Sequence, residues 1–350
     1  MKRASHCEQS ERARRRSTAP LRADVCSGRR CTLFRCVIVA FTLLSAAGFA
    51  AEGYPTKPGR LIVPFGAGGS TDVVARIFAQ QFSEAWGQTL VIDNRAGAAG
   101  IIGTEMGARA VPDGYTIFTY GINQAITAAL YNKLPYDHLR DFTLISLYAT
   151  MPNILCVTPS LPAPDVSAFV KLMKASPGKY KYASSGVGAS PHLTMEYFMA
   201  ATGIKLIHVP YKNSAQGYAD TMTGDIQSFF FNLPGPLPHV RSGRLRALAV
   251  TSEKRAPQVP ELPTIIESGI PDFVVTVWQG YAVPRATPQP IVSKIQSAMM
   301  KALAAPELQK RFFDNGVVAA PVTPAEFVKF VNAETATWKK VVAISGAKPE

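Results

Sequence analysis

The sequence predicts an α/β protein of two lobes, with mostly parallel sheets joined by two hinge crossovers. Three observations predict it. Apolar runs of strand length alternate with helical patterns along most of the chain, the arrangement that builds parallel sheets. Two of those runs, 153–160 and 274–284, lie at natural crossings between two halves, one spanning 51–153 plus 277–350 and the other 154–276. Beyond the first fifty residues the chain keeps one cysteine, Cys156, so packed cores and not disulfides must hold it, and 300 residues suffice for two cores.

The elements follow in order. "RLIVPF" (60–65) is a strand that breaks into glycines ahead of a helix beginning near Thr71. "TLVIDNR" (89–95) is the next strand, with the glycine-rich "AGAAGIIGTEMGARA" opening a second helix, and "YTIFTYG" (115–121) is a third strand. "DFTLISLYAT" and "NILCVTPS" read as two further strands, and a proline-marked helix follows through "APDVSAFVKLMKAS". The second half repeats the alternation: a strand within "YKYASSGVGASPH", a helix in "LTMEYFMAATG", then "KLIHVPYK", "AQGYADTMTG", "IQSFFFNLPGPL" and "RLRALAVTS". "VVTVWQGYAVP" returns to the first half, which ends in helical segments and a last amphipathic helix from Pro324 to about Val342.

The first fifty residues read differently. Ten Lys/Arg stand against three acids, followed by a charge-free run of fifteen residues from Cys36 to Ala50, "CVIVAFTLLSAAGFA". That run is shorter than the roughly 20 residues of a membrane-spanning helix. A basic segment, a short apolar core and small residues at Gly48 and Ala50 describe a secretory signal peptide (residues 1–50) cleaved after Ala50, which places the mature protein in the periplasm. The leader carries +7 of the chain's +13, leaving +6 spread without long runs over 300 residues. The basic balance is therefore mostly a targeting feature, and nucleic-acid binding loses its support. The four cysteines Cys7, Cys26, Cys31 and Cys36 fall in the same leader, so no mature disulfide or cysteine metal site is expected.

The chemistry concentrates in two glycine loops. "FGAGGSTD", from Phe65 through Gly66, Ala67, Gly68, Gly69, Ser70 and Thr71 to Asp72, joins a strand to a helix. It lacks the Gly-Lys-Ser/Thr of a phosphate-binding loop, and Thr71 stands at the third glycine position of the dinucleotide fingerprint. What remains is a helix N-terminus with Ser70 or Thr71 as its cap, bare amides and the positive end of a helix dipole. The second loop runs through Ser184, Ser185, Gly186, Val187, Gly188, Ala189 and Ser190 to Pro191 and His192, with Pro191 well placed in a first helical turn. Neither loop contains Lys or Arg. One such loop in each half suits a small carboxylate held by amides and hydroxyls.

Together the segments "VPFGAGGSTDVVAR", "VIDNRAGAAGIIG", "YASSGVGASPHLTMEYF", "HVPYKNSAQGYADTMTGDIQ" and "NLPGPLPHVRSGRLRALAVTS" resemble the Bug-type receptors, the extracytoplasmic solute-binding proteins of tripartite tricarboxylate transporters. The resemblance covers the whole mature chain in order. It implies a two-lobed periplasmic-binding-protein fold, type II-like, closing on a small organic acid held by Phe65–Asp72 and Ser184–His192. It also implies delivery to membrane transporter subunits and no cofactor. Three departures stand out: Gly66 replaces a proline, Ala189 a threonine and Phe231 an acid, and the last favours an apolar or aromatic acid over an amino acid.

Sharper readings are weighed against plainer ones. His192 and Glu196 have the i, i+4 spacing of a zinc pair, but His138, His208 and His239 read as isolated, so His192 is expected to line the pocket or cap the helix. A serine hydrolase using Ser185 or Ser190 lacks the final glycine of a nucleophile elbow. Asp72 reads as a helix stabiliser beside the cleft, Tyr211 as a pocket border or a turn, and Trp278 as core or hinge packing. The predicted protein is thus a monomeric, non-enzymatic receptor without metal; a sensing module is the alternative.

Overall fold

The computed structural model describes residues 53–348; the leader, its cleavage point and the four leader cysteines lie outside them. Strand β1 (Gly59–Val63) leads into helix α1 (Ser70–Trp86), β2 (Leu90–Asn94), a 3-10 turn (Ala98–Gly100), α2 (Ile101–Ala108), β3 (Thr116–Gly121) and α3 (Ile122–Leu130). The long β4 (Phe142–Val157) precedes α4 (Val166–Ala175), β5 (Lys181–Ser184), α5 (Ser190–Thr202), β6 (Ile207–Pro210) and α6 (Ser214–Thr223). Then come β7 (Ser228–Asn232), α7 (Leu237–Arg241) and β8 (Arg246–Val250). The chain returns through β9 (Thr276–Pro284) to α8 (Gln289–Ala304), α9 (Pro306–Asp314), β10 (Val318–Ala319) and α10 (Pro324–Ser345).

The strands run in the order β2-β1-β3-β9-β4-β7-β5-β6, with β8 and β10 also paired to β4. Pairing is parallel on both flanks, where β1 lies between β2 and β3, and β5 between β6 and β7. At the centre it is antiparallel: β9 with β3 and β4, and β4 with β7, β8 and β10. The sheets are therefore mixed, not mostly parallel. The crossover strands are the reason, since a chain that enters a second half and comes back must run against its own direction.

Those two crossovers define the middle of the molecule. The runs read as separate strands before and after Pro152 form one strand of 16 residues, β4. Its residues up to Pro152 pair with β9, whereas Asn153 to Val157 pair with β7 and β8. Pro152 is tolerated there because it only removes a donor, and its carbonyl still accepts the Leu233 N–H at 3.0 Å. Thr251 ties the crossovers together. Its hydroxyl donates to the Val275 carbonyl at 2.6 Å and lies 2.9 Å from the Asn153 N–H, which donates to it.

Helix α1 buries Val74, Phe78 and Phe82, spaced four apart on one face, with Ala75 beside them, and stops at Gly87 in the left-handed conformation. Phe78 stacks on Tyr148 of β4 with ring centroids 4.7 Å apart, while Tyr281 of β9 packs edge-on to both. Burying a Phe side chain contributes roughly 1.5–3 kcal/mol, so α1 is fixed firmly to the central strands. In β7 the alternation of a strand sends Phe229 and Phe231 to one face, 5.0 Å apart, and Phe230 to the other against Phe198. All three are buried.

Candidate functional site

The first loop is organised by Asp72. Its carboxylate, 2% exposed, accepts the Gly68 N–H at 2.9 Å, the Arg76 Nε–H at 2.9 Å and the Asn94 amide at 3.0 Å. Asn94 also donates to the Phe65 carbonyl at 2.9 Å, so the end of β2 clamps both ends of the loop. Gly68 holds φ +78°, a conformation available to glycine at little cost, and this turns its N–H back toward Asp72. Asp72 thus shapes the loop from behind and does not line the cleft. Gly69, not Ser70 or Thr71, is the N-cap of α1, and no side chain caps the helix. Ser70 is freed to reach across. Its hydroxyl donates to the Asn232 carbonyl at 2.8 Å and accepts the Gly235 N–H at 3.1 Å.

The second loop is likewise braced from behind. Ser184 is fully buried with its Oγ 2.6 Å from His208 Nε2. His192 Nδ1 accepts the Gly188 N–H at 3.2 Å, so His192 caps the turn and faces away from the cleft. His208 is not isolated: its ring centroid is 4.4 Å from that of His192 and 4.9 Å from that of Tyr182. Tyr182 donates to Glu196 at 2.6 Å. Burial pushes the His192 imidazole down to about 3, with His208 adding to the effect, and pushes His208 down to about 4. Both rings are neutral at ordinary pH. Helix α5 has Ala189 as its N-cap, again without a side-chain cap, and carries Pro191 in its first turn.

The two loops meet at one small cavity. Phe65, Gly69, Ser70 and Thr71 line it from one side, Ser185, Ser190, Pro191, Ser214, Phe231 and Asn232 from the other, and Asn123 between them. Among the described residues four helix N-termini surround it: α1 at Ser70, α3 at Asn123, α5 at Ser190 and α6 at Ser214. A helix N-terminus carries roughly half a positive elementary charge, although Asn213 already caps the Ala215 N–H of α6 at 2.9 Å. No Lys, Arg, His, Asp or Glu lines the cavity. The starts of α5 and α3 touch directly here, the Ser190 N–H donating to Asn123 Oδ1 at 2.8 Å. The cavity measures about 20 Å³, room for one water or so.

A family model for receptors of the tripartite tricarboxylate transporter family matches residues 74–346. The chain belongs to that receptor family. It is 35% identical to BugT of Bordetella pertussis over 305 residues, which cover 87% of this chain and 94% of BugT. A structure of R. palustris Rpa4515 with adipate superposes with a TM-score of 0.82 at 35% identity, covering 85% of this chain and all of that one. MatC of Rhodopseudomonas palustris, with bound malate, gives 0.79 at 28% identity over 83% of this chain and all of that one. The receptor therefore has the two-domain α/β fold of periplasmic binding proteins.

Of the residues singled out in the sequence, the receptor's cavity brings together Phe65, Gly69, Ser70, Thr71, Ser185, Ser190 and Phe231. Gly66, Ala67, Gly68 and Asp72 build the first loop without lining it; Ser184, Gly186, Gly188, Ala189 and His192 do the same for the second. Tyr211 lies outside: its hydroxyl donates to Asp220 at 2.6 Å and its ring packs beside Gly217. Sequence reasoning missed Asn123, Ser214 and Asn232. Asn123 stands two residues after Gly121, and a strand ending in glycine before "INQAITAAL" is the same kind of strand-to-helix signal that marked the other loops. The Ser190–His192 pair needed for a hydrolase does not form, because His192 Nδ1 is occupied by Gly188 and the Ser190 hydroxyl lies 3.4 Å from Asn153 Nδ2. Among the described residues no group of three or more His, Cys, Asp or Glu could hold a metal ion.

Proposed function

We propose that the protein is a periplasmic receptor that captures a small organic carboxylate between its halves and delivers it to the membrane subunits of a tripartite transporter. The observation that carries this reading is the meeting of four helix N-termini at one cavity with no cation in its lining. Helix N-termini favour anions, and charge-assisted hydrogen bonds contribute about 1.5–3 kcal/mol each. Three or four reach the roughly 8 kcal/mol of micromolar binding. Phe65 and Phe231 supply apolar walls for the rest of the ligand. The adipate and malate held by two relatives belong to the same chemical class.

The present cavity is far smaller than the roughly 300 Å³ at which ligand pockets begin, so capture requires the halves to separate and close again. We assign them as 51–153 plus 277–350 and 154–276, turning about the strands that Thr251 joins. Residues 1–50 serve as the cleaved export signal, and the mature receptor acts as a monomer without catalysis. Among the described residues no helix is long and apolar enough to cross a membrane. The test is calorimetry and thermal unfolding of the mature chain with a panel of mono- and dicarboxylates. At least one acid is expected to raise the melting temperature in proportion to its affinity; no heat and no shift across the panel would remove the reading.

A further inference from the structure

One acid outside the cavity holds the crossover strand β9. Trp278 of β9 is fully buried and pairs with Thr150 of the other crossover strand, β4. Its backbone lies against Gly121, where an added Cβ would stand 2.9 Å from the Trp278 carbonyl oxygen. Gly121 is the N-cap of α3, so this contact fixes where one of the four helix N-termini begins. Trp278 also borders a second cavity of about 10 Å³, which shares Phe65, Thr71, Asn123 and Asn232 with the first. Its indole turns towards α10: Nε1 donates to Glu334 Oε2 at 2.8 Å, and the ring packs edge-on to Phe327 and Phe330. Ring packing tolerates rotation, whereas a hydrogen bond sets a direction. Helix α10 in turn packs against α3 and α5, which both start at the cavity and fall in the two halves assigned above.

We propose that Glu334 is a positioning residue for ligand capture: through the Trp278 indole it holds β9, and with β9 the start of α3, in the setting that closes on the acid. The proposal rests on the receptor reading above. Glu334 does not line either cavity and acts only through Trp278. It is half-buried; burial pushes its carboxyl up, and the Trp278 and Trp338 indoles oppose this by favouring the ionised form. As a carboxylate it makes a charge-assisted bond, roughly twice as strong as a neutral one. Without it the buried indole N–H has no partner, a condition that drives the ring to turn. Strand β9 then takes more than one setting, and only a fraction of molecules can close. Apparent affinity falls by that fraction.

Calorimetry on the mature chain with the acid panel, adipate and malate included, gives the first readout. For each acid that binds the wild type, Glu334→Leu is expected to weaken binding about tenfold, and Glu334→Gln, which keeps an oxygen for the indole, to stay within about threefold. The second readout is the indole N–H resonance of Trp278 in a chain labelled with ¹⁵N-tryptophan. The sequence has three tryptophans, and the signal missing from Trp278→Phe assigns the resonance. It is expected to move when a binding acid from the panel saturates the wild type. A role in folding alone would lower the unfolding midpoint of Glu334→Leu and leave both readouts unchanged. Wild-type affinity in a folded Glu334→Leu, or a Trp278 resonance that ignores the acid, overturns the proposal and leaves the receptor reading intact. Should Glu334→Leu not fold, the resonance alone decides. Absence of binding by every acid removes the receptor reading and this proposal with it.

Discussion

The Ser70 hydroxyl donates to the Asn232 carbonyl at 2.8 Å, joining the first turn of α1 to the end of β7 across 162 residues of sequence. The same oxygen accepts the Gly235 N–H. Both partners can turn to water when the halves part, so the two bonds stabilise closure and not the fold of either half. Net contributions of about 0.5–1.5 kcal/mol per bond predict that Ser70→Ala weakens carboxylate binding about tenfold. Calorimetry with an acid that binds the wild type measures it, and unfolding midpoints without ligand are expected to stay within about 0.5 kcal/mol of wild type. An unchanged affinity would show that closure does not use this bond.

The glycines of the first loop divide by role. Gly69 has ordinary backbone angles as the cap of α1, and a Cβ there would stand 3.4 Å from Ser214 Oγ and the Gly66 carbonyl, ordinary contact. Gly69→Val is therefore expected to fold and to lose binding, since its branches enter the cavity. Gly68 sits at φ +78°, and a Cβ there would meet only Ala215 Cβ at 3.8 Å, an ordinary contact, so Gly68→Val acts by straining the backbone, by roughly 1–3 kcal/mol. It is expected to lower the unfolding midpoint as well as the affinity. Chemical denaturation and calorimetry on both variants separate the two effects; equal loss of stability would assign both glycines to architecture.

Both loops are legible in the sequence, because glycine after an apolar run marks a strand-to-helix turn through backbone freedom alone. The site's third wall is not. Helix α3 follows a single glycine, Gly121, at the end of β3, and with Ile122, Ala125, Ile126 and Leu130 all buried it lacks the glycine run and hydroxyls that distinguish the other two loops. Asp72 was placed beside the cleft from its position in a first helical turn. Its actual role depends on Asn94, 22 residues away at the end of β2, a partnership that sequence spacing does not reveal. Pro152 resembles a strand end in the sequence and hides the continuity of β4, whereas its carbonyl keeps the pairing going.

The imidazoles behind the second loop predict an acid-sensitive fold. Burial holds His192 at about 3 and His208 at about 4, below the roughly 6.5 of an unfolded chain. Between those values the unfolded chain binds protons that the folded one refuses. Stability is therefore complete above about pH 6.5 and falls as pH drops towards 4, by up to about 1.4 kcal/mol per pH unit for each ring. Glu196, beside His192 and bonded to Tyr182, is pushed up by burial and acts in the opposite sense. Urea midpoints from pH 8 to pH 4 are expected to show the decline, and His192→Gln, which can still accept the Gly188 N–H, is expected to make it shallower. A flat wild-type profile would mean that water reaches these rings.

Thr251 offers the sharpest test of how the halves are joined. Its hydroxyl takes the Asn153 N–H at 2.9 Å and gives its proton to the Val275 carbonyl at 2.6 Å, while its own N–H and carbonyl bond the same two segments at 2.9 Å each. One residue thus binds both crossovers, and Asn153 and Thr251 are fully buried. Thr251→Val keeps the shape and removes the hydroxyl, which leaves a buried N–H and a carbonyl without partners. Leaving such groups unpaired costs about 1–3 kcal/mol, so the valine variant is expected to lose about 2 kcal/mol in urea denaturation. Thr251→Ser keeps the hydroxyl and gives up only a methyl, and is expected to lose about half as much. If serine proves as damaging as valine, the methyl's packing and not the hydroxyl holds the crossovers, and the pivot must be sought in the side chains around β4.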